Sequence, residues 1–315
     1  MSVGGAYAEH MITHADVLAA QQRIAGRIRR TPVFDAAPGV LFKLEYVQHT
    51  GSFKARGALN NVLAAHERGA LGPAGVIAAS GGNAGLAVAW AAAQVGVPAE
   101  IHVPANAPAV KVKRLQALGA TVVQTGTEYS HALAASVERA TQTGAFPCHA
   151  YDQPEMVAGA GTIALELAEQ ADVDTVLVAV GGGGLVGGIA AAFEGTGVRV
   201  VAVEPAAAPS LHAALEHGGP VDVEVGGYAA DSLGARRAGA LAYAVAARTQ
   251  MVSVLVDDVA IRDARQQLWD EWRIVVEPGA AAAYAGLTAA AYRAASGERV
   301  AVILCGANTD PSDLA

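Results

Sequence analysis

The feature that most constrains this chain is an alternation. Short, β-branched and almost wholly apolar runs are each followed by a longer segment with helical periodicity. The runs fall at 40–45 (VLFKLE), 75–80 (GVIAAS), 99–104 (AEIHVP), 121–126 (TVVQTG), 175–180 (TVLVAV), 198–205 (VRVVAVEP), 253–258 (SVLVDD) and 300–306 (VAVILCG). Strands that are apolar on both faces belong to sheets covered on both sides, and strand–helix alternation predicts parallel sheets with right-handed crossovers. Helical segments between them include 85–96 (GLAVAWAAAQVG) and 109–119 (AVKVKRLQALG), the second stopping at Gly119. Another opens at Asp257 and Asp258, whose carboxylates can cap free amides. With no repeat and no linker tract, two sheets sharing a cleft are expected rather than one very wide sheet.

Composition narrows the function classes. Hydrophobic residues make up 53% and charged residues 16%, enough apolar material for a sizeable core. The net charge of -8 comes without a basic run, which argues against nucleic acid. Turn signals interrupt the Ala- and Gly-rich stretches, so none reads as a membrane span, and the N-terminus lacks the pattern of a secretion signal. Cys148 and Cys305 are too few for a disulfide framework or a zinc site, and a soluble cytoplasmic protein is expected. His10 and His14 stand at helical i, i+4 spacing but have no third ligand nearby, and read as a solvated helix end.

In parallel α/β sheets ligands sit beyond the carboxyl ends of the strands. Three such loops stand out: GGNAG (81–85), GGGGLVGG (181–188) and CGAN (305–308). The bare backbone of the tetraglycine loop, followed by a helix N-terminus, can converge on an anion. Residues 182–187 also satisfy G-x-G-x-x-G, with Glu204 closing the next strand. A nicotinamide site, a simple phosphate cradle and a structural glycine turn all remain open on this loop alone. No Gly-Lys-Ser/Thr occurs, so a nucleoside-triphosphate loop is excluded.

The chain has four lysines. Lys43 lies in a strand, and Lys111 and Lys113 read as a solvated helix face beside Arg114. Lys54 follows Gly51, Ser52 and Phe53 and opens a helix, where the dipole and partial burial both disfavour its ammonium form. It reads either as a solvated surface charge or as a nucleophilic amine. A reactive amine together with a phosphate cradle is the pair of features that pyridoxal phosphate requires.

The segment KLEYVQHTGSFKARGALN (43–60) resembles the lysine motif of the serine/threonine dehydratases, a family that includes serine racemase. Further segments are similar to family motifs in the family's order: ASGGNAG (79–85), VPANAPAVKVKRLQALGATVV (103–123), YDQPEMVAGAGTIALEL (151–167), GGGGL (181–185), VEP (203–205), AADSLG (229–234), VEPGAA (276–281) and LCGAN (304–308). Ordered motifs of this number outweigh the nicotinamide reading. The resemblance implies an α/β, two-domain, fold type II pyridoxal phosphate enzyme, similar to tryptophan synthase β, with parallel-rich twisted sheets flanked by helices. On the family's plan, residues 1–72 and 152–315 form a discontinuous large cofactor-binding domain and 73–151 a small mobile one, in a homodimer. It implies that Lys54 forms the Schiff base and Phe53 packs on the cofactor ring. Asn83 meets the ring hydroxyl, Gly181, Gly182, Gly183, Gly184 and Leu185 hold the phosphate, and Cys305 faces the pyridine nitrogen. Ser80, Gly81, Gly82, Asn83 and Ala84 hold the substrate.

Three departures bear on the reaction. Ala84 stands where many members have His, Gly81 where serine racemase has the serine that exchanges a proton opposite the lysine, and Cys305 where Ser or Thr is usual. Ala84 and Cys305 together resemble the liver-type serine dehydratase branch. A neutral thiol at the ring nitrogen makes a weaker electron sink, which favours quick loss of a β-leaving group. The expected reaction is elimination from L-threonine or L-serine to a 2-oxo acid and ammonia, with Lys54 as the base at Cα. The alternatives are serine racemase, a dehydratase for 3-hydroxyaspartate or phenylserine, and a non-catalytic ligand sensor on the same scaffold. A monovalent or divalent cation is allowed, with Glu204 and Ala208 as candidate ligands, but Ser210 replaces the second carboxylate of the racemase pattern. No regulatory module is expected after Ala315.

Overall fold

The apolar runs pair into two separate sheets in this computed structural model, which describes residues 11–314. Numbered along the chain, β1 (Val33–Ala37), β2 (Val40–Lys43), β7 (Thr175–Ala179), β8 (Arg199–Pro205), β9 (Val252–Val256) and β10 (Val300–Ile303) form one sheet in the order β1-β2-β10-β7-β8-β9. The second contains β3 (Val76–Ala79), β4 (Ala99–Val103), β5 (Thr121–Gln124) and β6 (Phe146–Pro147) in the order β5-β4-β3-β6. Every pairing is parallel except the β1–β2 hairpin. β1 and β6 escape a search for apolar runs for different reasons. β1 is an edge strand with no fully buried residue, and β6 is two residues long and contains Pro147.

The helices are α1 (His14–Ile24), α2 (Lys54–Glu67), α3 (Asn83–Val95), α4 (Ala109–Ala117), α5 (Tyr129–Thr143), α6 (Pro154–Gln170), α7 (Gly184–Phe193), α8 (Ser210–His217), α9 (Ala230–Leu233), α10 (Ala240–Arg248), α11 (Asp258–Trp272) and α12 (Pro278–Thr288). Their starts follow local chemistry. Thr13 and Asp16 exchange a capping box on α1, and Asp257 accepts the Ala260 amide at 2.8 Å on α11. Pro154 and Pro278 occupy the first turns of α6 and α12, where a missing N–H costs nothing. His14 Nδ1 contacts the Ala192 carbonyl at 2.7 Å, so it ties α1 to α7 and is not a solvated end. His10 lies outside the described residues. None of the described helices is long and apolar enough to cross a membrane.

Each sheet has its own core. Val176, Val178, Ile189, Val201 and Ile303 belong to the one around the larger sheet, and Leu59, Val62, Val88, Ile101 and Leu115 to the other. α2 enters the smaller core while crossing α6 at very short range. A Cβ on Gly57 would lie 2.5 Å from the Met156 carbonyl oxygen, and one on Gly159 would lie 2.7 Å from Gly57 Cα. Larger residues at that crossing would push α2 away, and Lys54 with it.

Strand order also places the site. In the larger sheet β8 lies on one side of β7 and β10 on the other; in the smaller, β4 and β6 flank β3 in the same way. Each sheet therefore has a topological switch point, where loops diverge and leave a crevice at the strand ends. The loops at these points are Gly181–Gly183 after β7, Cys305 after β10, Ser80–Gly82 after β3 and His149–Tyr151 after β6.

Candidate active site

Lys54 is the first residue of α2, and its position is held from below. Two residues on, the buried Arg56 guanidinium donates to both Glu45 carboxylate oxygens at 2.8 and 2.7 Å and to Glu166 at 3.0 Å. Lys43 completes the cluster, donating to Glu166 at 2.6 Å, the Thr31 carbonyl at 2.8 Å and Gln170 at 2.6 Å. Its amine is wholly committed to structure. By contrast Lys54 Nζ donates to the Ala150 carbonyl at 2.7 Å and stands 5.0 Å from the Phe53 ring centroid. Burial depresses its pKa to about 8, against smaller opposing pulls from Cys305 and Glu277. A useful fraction of this amine is unprotonated near neutrality.

Cys305 and Phe53 are brought beside it by backbone pairing, the Phe53 amide donating to the Cys305 carbonyl at 3.0 Å. Cys305 is buried and free, and burial pushes its thiol far up, so it stays neutral. Ser52 is fully buried, pairs with Gly306 across a β-bridge, and has a hydroxyl with no partner.

The tetraglycine turn connects β7 to α7. The first helical bond of α7 runs from the Gly187 amide to the Gly183 carbonyl, so the amides of Gly184, Leu185 and Val186 precede it and are free of intrahelical partners. Gly183 has φ +86, and a Cβ there would lie 2.5 Å from the Ala242 methyl. The aromatic ring of Tyr151 lies across the turn, since a Cβ on Gly182 would meet it at 2.4 Å. Tyr151 was not singled out from the sequence, and neither was His149, whose ring packs edge-on against it at 4.6 Å.

Opposite, Ser80 Oγ accepts the Gly82 amide at 3.3 Å, and Asn83 and Ala84 open α3. The Asn83 amide is held at both ends. Its Nδ2 donates to Glu277 at 2.8 and 3.0 Å, and its Oδ1 accepts from Asn308 at 2.6 Å. Glu277 is buried, which raises its pKa, while Asn83 pulls the other way. Lys111 and Arg114, read from the sequence as a solvated face, instead line the cleft with Asp231, Ser232 and Asn308. Lys111 donates to Asp231 at 2.8 Å and Arg114 to Asn308 at 2.5 Å, while Lys113 is exposed. Helical periodicity grouped these cations correctly but could not show what they face.

Glu204 closes β8, and Ala208 precedes α8, whose first residue Ser210 donates through Oγ to the Gly181 carbonyl at 2.6 Å. Glu204 accepts the Leu211 and His212 amides at 2.8 and 2.7 Å, standing in as the N-terminal cap of α8, and burial raises its pKa to about 7. The Ala208 carbonyl accepts the Ser210 amide at 3.1 Å. Among the described residues there is no group of three or more His, Cys, Asp and Glu placed to hold a metal ion.

Pyridoxal phosphate fits what is assembled. A buried amine of lowered pKa, free helix amides on a bare glycine turn, a neutral thiol and an orphaned serine hydroxyl converge at two switch points. A family model described as pyridoxal-phosphate dependent enzyme matches residues 24–306. The chain is 38% identical over 310 residues to an L-threonine ammonia-lyase of Geobacter sulfurreducens, covering 95% of this chain and 76% of that one. It is 35% identical over 308 residues to a phenylserine dehydratase of Ralstonia pickettii, covering 93% and 92%. The structure of maize serine racemase matches with a TM-score of 0.88 at 32% identity, covering 97% of this chain and 96% of that one.

Proposed function

The chain belongs to the family of pyridoxal-phosphate dependent enzymes, and from that premise we propose that it is an ammonia-lyase converting L-threonine or L-serine to a 2-oxo acid and ammonia. The observation that carries this reading is Lys54, a largely buried amine with a pKa of about 8, in a chain whose tetraglycine turn leaves free amides at the start of α7. Its relatives include L-threonine ammonia-lyases of two organisms.

When bound, the cofactor withdraws electrons from the substrate's Cα and so acidifies its proton. Lys54 would hold the cofactor aldehyde, the amides from Gly181 to Leu185 its phosphate, Cys305 its ring nitrogen, Asn83 its ring hydroxyl and Phe53 one ring face. The Lys54 amine, oriented by the Ala150 carbonyl, takes the Cα proton. Ser80, Gly81, Gly82, Asn83 and Ala84 hold the substrate carboxylate at the start of α3, where free amides and the helix dipole favour an anion. Residues 73–151, which contain the whole four-stranded sheet, act as the small lobe that closes and excludes water. A cytoplasmic homodimer is part of the same reading; both cysteines are free and buried.

Racemisation is expected to be slight, because Gly81 offers no acid on the face opposite Lys54. One observation favours a second substrate. Lys111 and Arg114 line the cleft, whereas Arg56 is buried in its ion cluster and Arg237 pairs with the exposed Asp222. A 3-hydroxy amino acid with an acidic side chain, such as 3-hydroxyaspartate, would meet these cations by exchanging with their present partners Asp231 and Asn308. The test is 2-oxobutanoate release from L-threonine by the cofactor-loaded protein, beside pyruvate from L-serine and oxaloacetate from 3-hydroxyaspartate. Release from L-threonine or L-serine is expected. No release from either L-threonine or L-serine would overturn the proposal, and release from 3-hydroxyaspartate alone would put the second substrate in its place.

A further inference from the structure

The segment after β6 turns sharply at His149, Ala150 and Tyr151, and the turn is built around an imidazole nitrogen. His149 Nδ1 accepts the Asp152 amide at 2.9 Å and the Tyr151 amide at 3.3 Å. A nitrogen that accepts two N–H groups carries no proton, so the ring proton is on Nε2. The Tyr151 N–H and the Ala150 C=O belong to one planar trans peptide and point in opposite directions. Holding that N–H toward His149 therefore aims the carbonyl away from it. That carbonyl is the acceptor, at 2.7 Å, of Lys54 Nζ.

The turn is also anchored to the lysine's own helix. The His149 amide donates to Gln153 Oε1 at 2.8 Å, and Asn61 of α2 donates to the same oxygen at 3.2 Å. Gln153 Nε2 closes the loop on the Pro147 carbonyl at 2.9 Å. A solvated surface turn would not need this set of bonds.

We propose that His149 is the positioning residue for Lys54: its unprotonated Nδ1 fixes the Ala150–Tyr151 peptide plane, and through it the direction of the catalytic amine. This rests on the reading of Lys54 as the residue that binds the cofactor. The charged and titratable groups facing the ring are Asp152, Lys54 and Tyr151; burial and Lys54 hold the imidazole below its ordinary value, and Asp152 opposes them. Protonation at Nδ1 would expel both amides and release the carbonyl.

The experiment measures the rate at which pyridoxal phosphate becomes attached to Lys54, trapped with borohydride and counted by mass spectrometry, as a function of pH. The proteins are the wild type, His149→Leu and His149→Asn. Asn places Oδ1 where Nδ1 was, so it keeps the acceptor without the titration. At pH 8, Leu is expected to slow capture by about 100-fold and to lower kcat by a similar factor with little change in KM, the cost of a misaligned reacting group. Asn should recover both to within about 10-fold. On the acid side of the ordinary imidazole range, wild-type capture should fall with two protons rather than one, because His149 titrates as well as Lys54, while Asn keeps a one-proton slope. That slope comparison needs only the Asn variant, should Leu fail to fold. Equal slopes in wild type and Asn, or capture by Leu at the wild-type rate, would overturn the positioning role alone. No capture by the wild type would overturn the cofactor reading and this proposal with it.

Discussion

Lys54 shows how one amine is made different from three others on the same chain. Lys43 is buried but surrounded by a carboxylate and two carbonyl oxygens, and Lys111 has Asp231; Lys54 has a single carbonyl. Its folded pKa of about 8 lies below the ordinary 10.5, so the unfolded chain holds the proton more tightly. Wild-type stability should therefore climb as pH rises from about 8 to 10.5, and at pH 7 the buried ammonium is a net cost. Lys54→Met should abolish 2-oxo acid release yet stabilise the cofactor-free protein at pH 7 by about 2 kcal/mol. Relief of about 3 kcal/mol of desolvation is offset by about 1 kcal/mol for the lost Ala150 bond. Urea unfolding at pH 7 and pH 10 measures this, and a Met variant no more stable than wild type at pH 7 would mean the amine is solvated. Lys54, the glycine turn and Cys305 were legible because each sits at the end of a recognisable apolar run or opens a helix. His149 and Tyr151 were not, because the strand before them is two residues long and ends on Pro147. A sequence reader has no strand end there to look beyond.

At the scale of elements, α2 is the piece that must not move, and a buried ion cluster joins it to β2 and α6. Glu45 and Arg56 are almost wholly inaccessible, and Glu166 bridges Arg56 to Lys43. Two cations face two carboxylates, so the cluster is close to neutral, and its desolvation is offset only while every partner is present. Removing Glu166 leaves Lys43 and Arg56 to share Glu45. Glu166→Ala should cost about 3–5 kcal/mol in urea unfolding, while Lys43→Met combined with Glu166→Leu should recover most of that loss. A double variant as unstable as the single would show that the cluster is needed for more than charge balance. Lys43 lies in a recognisable apolar run and Arg56 in the motif that holds Lys54. Nothing there signals that they meet, because their partners Glu45 and Glu166 are over a hundred positions apart and only the α2–α6 crossing brings them together. Gly57 and Gly159 make that crossing possible, since a Cβ on either would meet the backbone of the facing helix.

For the whole molecule the question is what holds the two sheets together over the cleft. The alternation of strands and helices made two parallel sheets legible, and two of the loops that follow strands, 81–85 and 305–308, contribute residues to the cleft. The bonds across it were invisible, since each joins residues far apart in sequence. Three side chains from α3 and α4 reach over: Asn83 to Glu277 and Asn308, Arg114 to Asn308, and Lys111 to Asp231. They differ in kind. The inner set is partly buried and centred on the carboxylate of Glu277, whereas Asp231 at the rim is largely exposed, with a side chain 82% accessible. An exposed ion pair contributes about 0–1 kcal/mol and is screened by salt. That is negligible against global stability, but on a two-state closure about 1 kcal/mol changes the closed population ratio by about fivefold. Asp231→Ala should therefore leave the urea midpoint close to wild type while raising KM for L-threonine by up to about fivefold. Raising the salt from low to about 0.5 M should raise the wild-type KM toward that of the variant, because the Debye length contracts to a few ångström, and should leave the variant's KM flat. A KM equally salt-dependent in both proteins would place the screening on the substrate's own charges. Closure would then rest on the inner set around Asn83 alone.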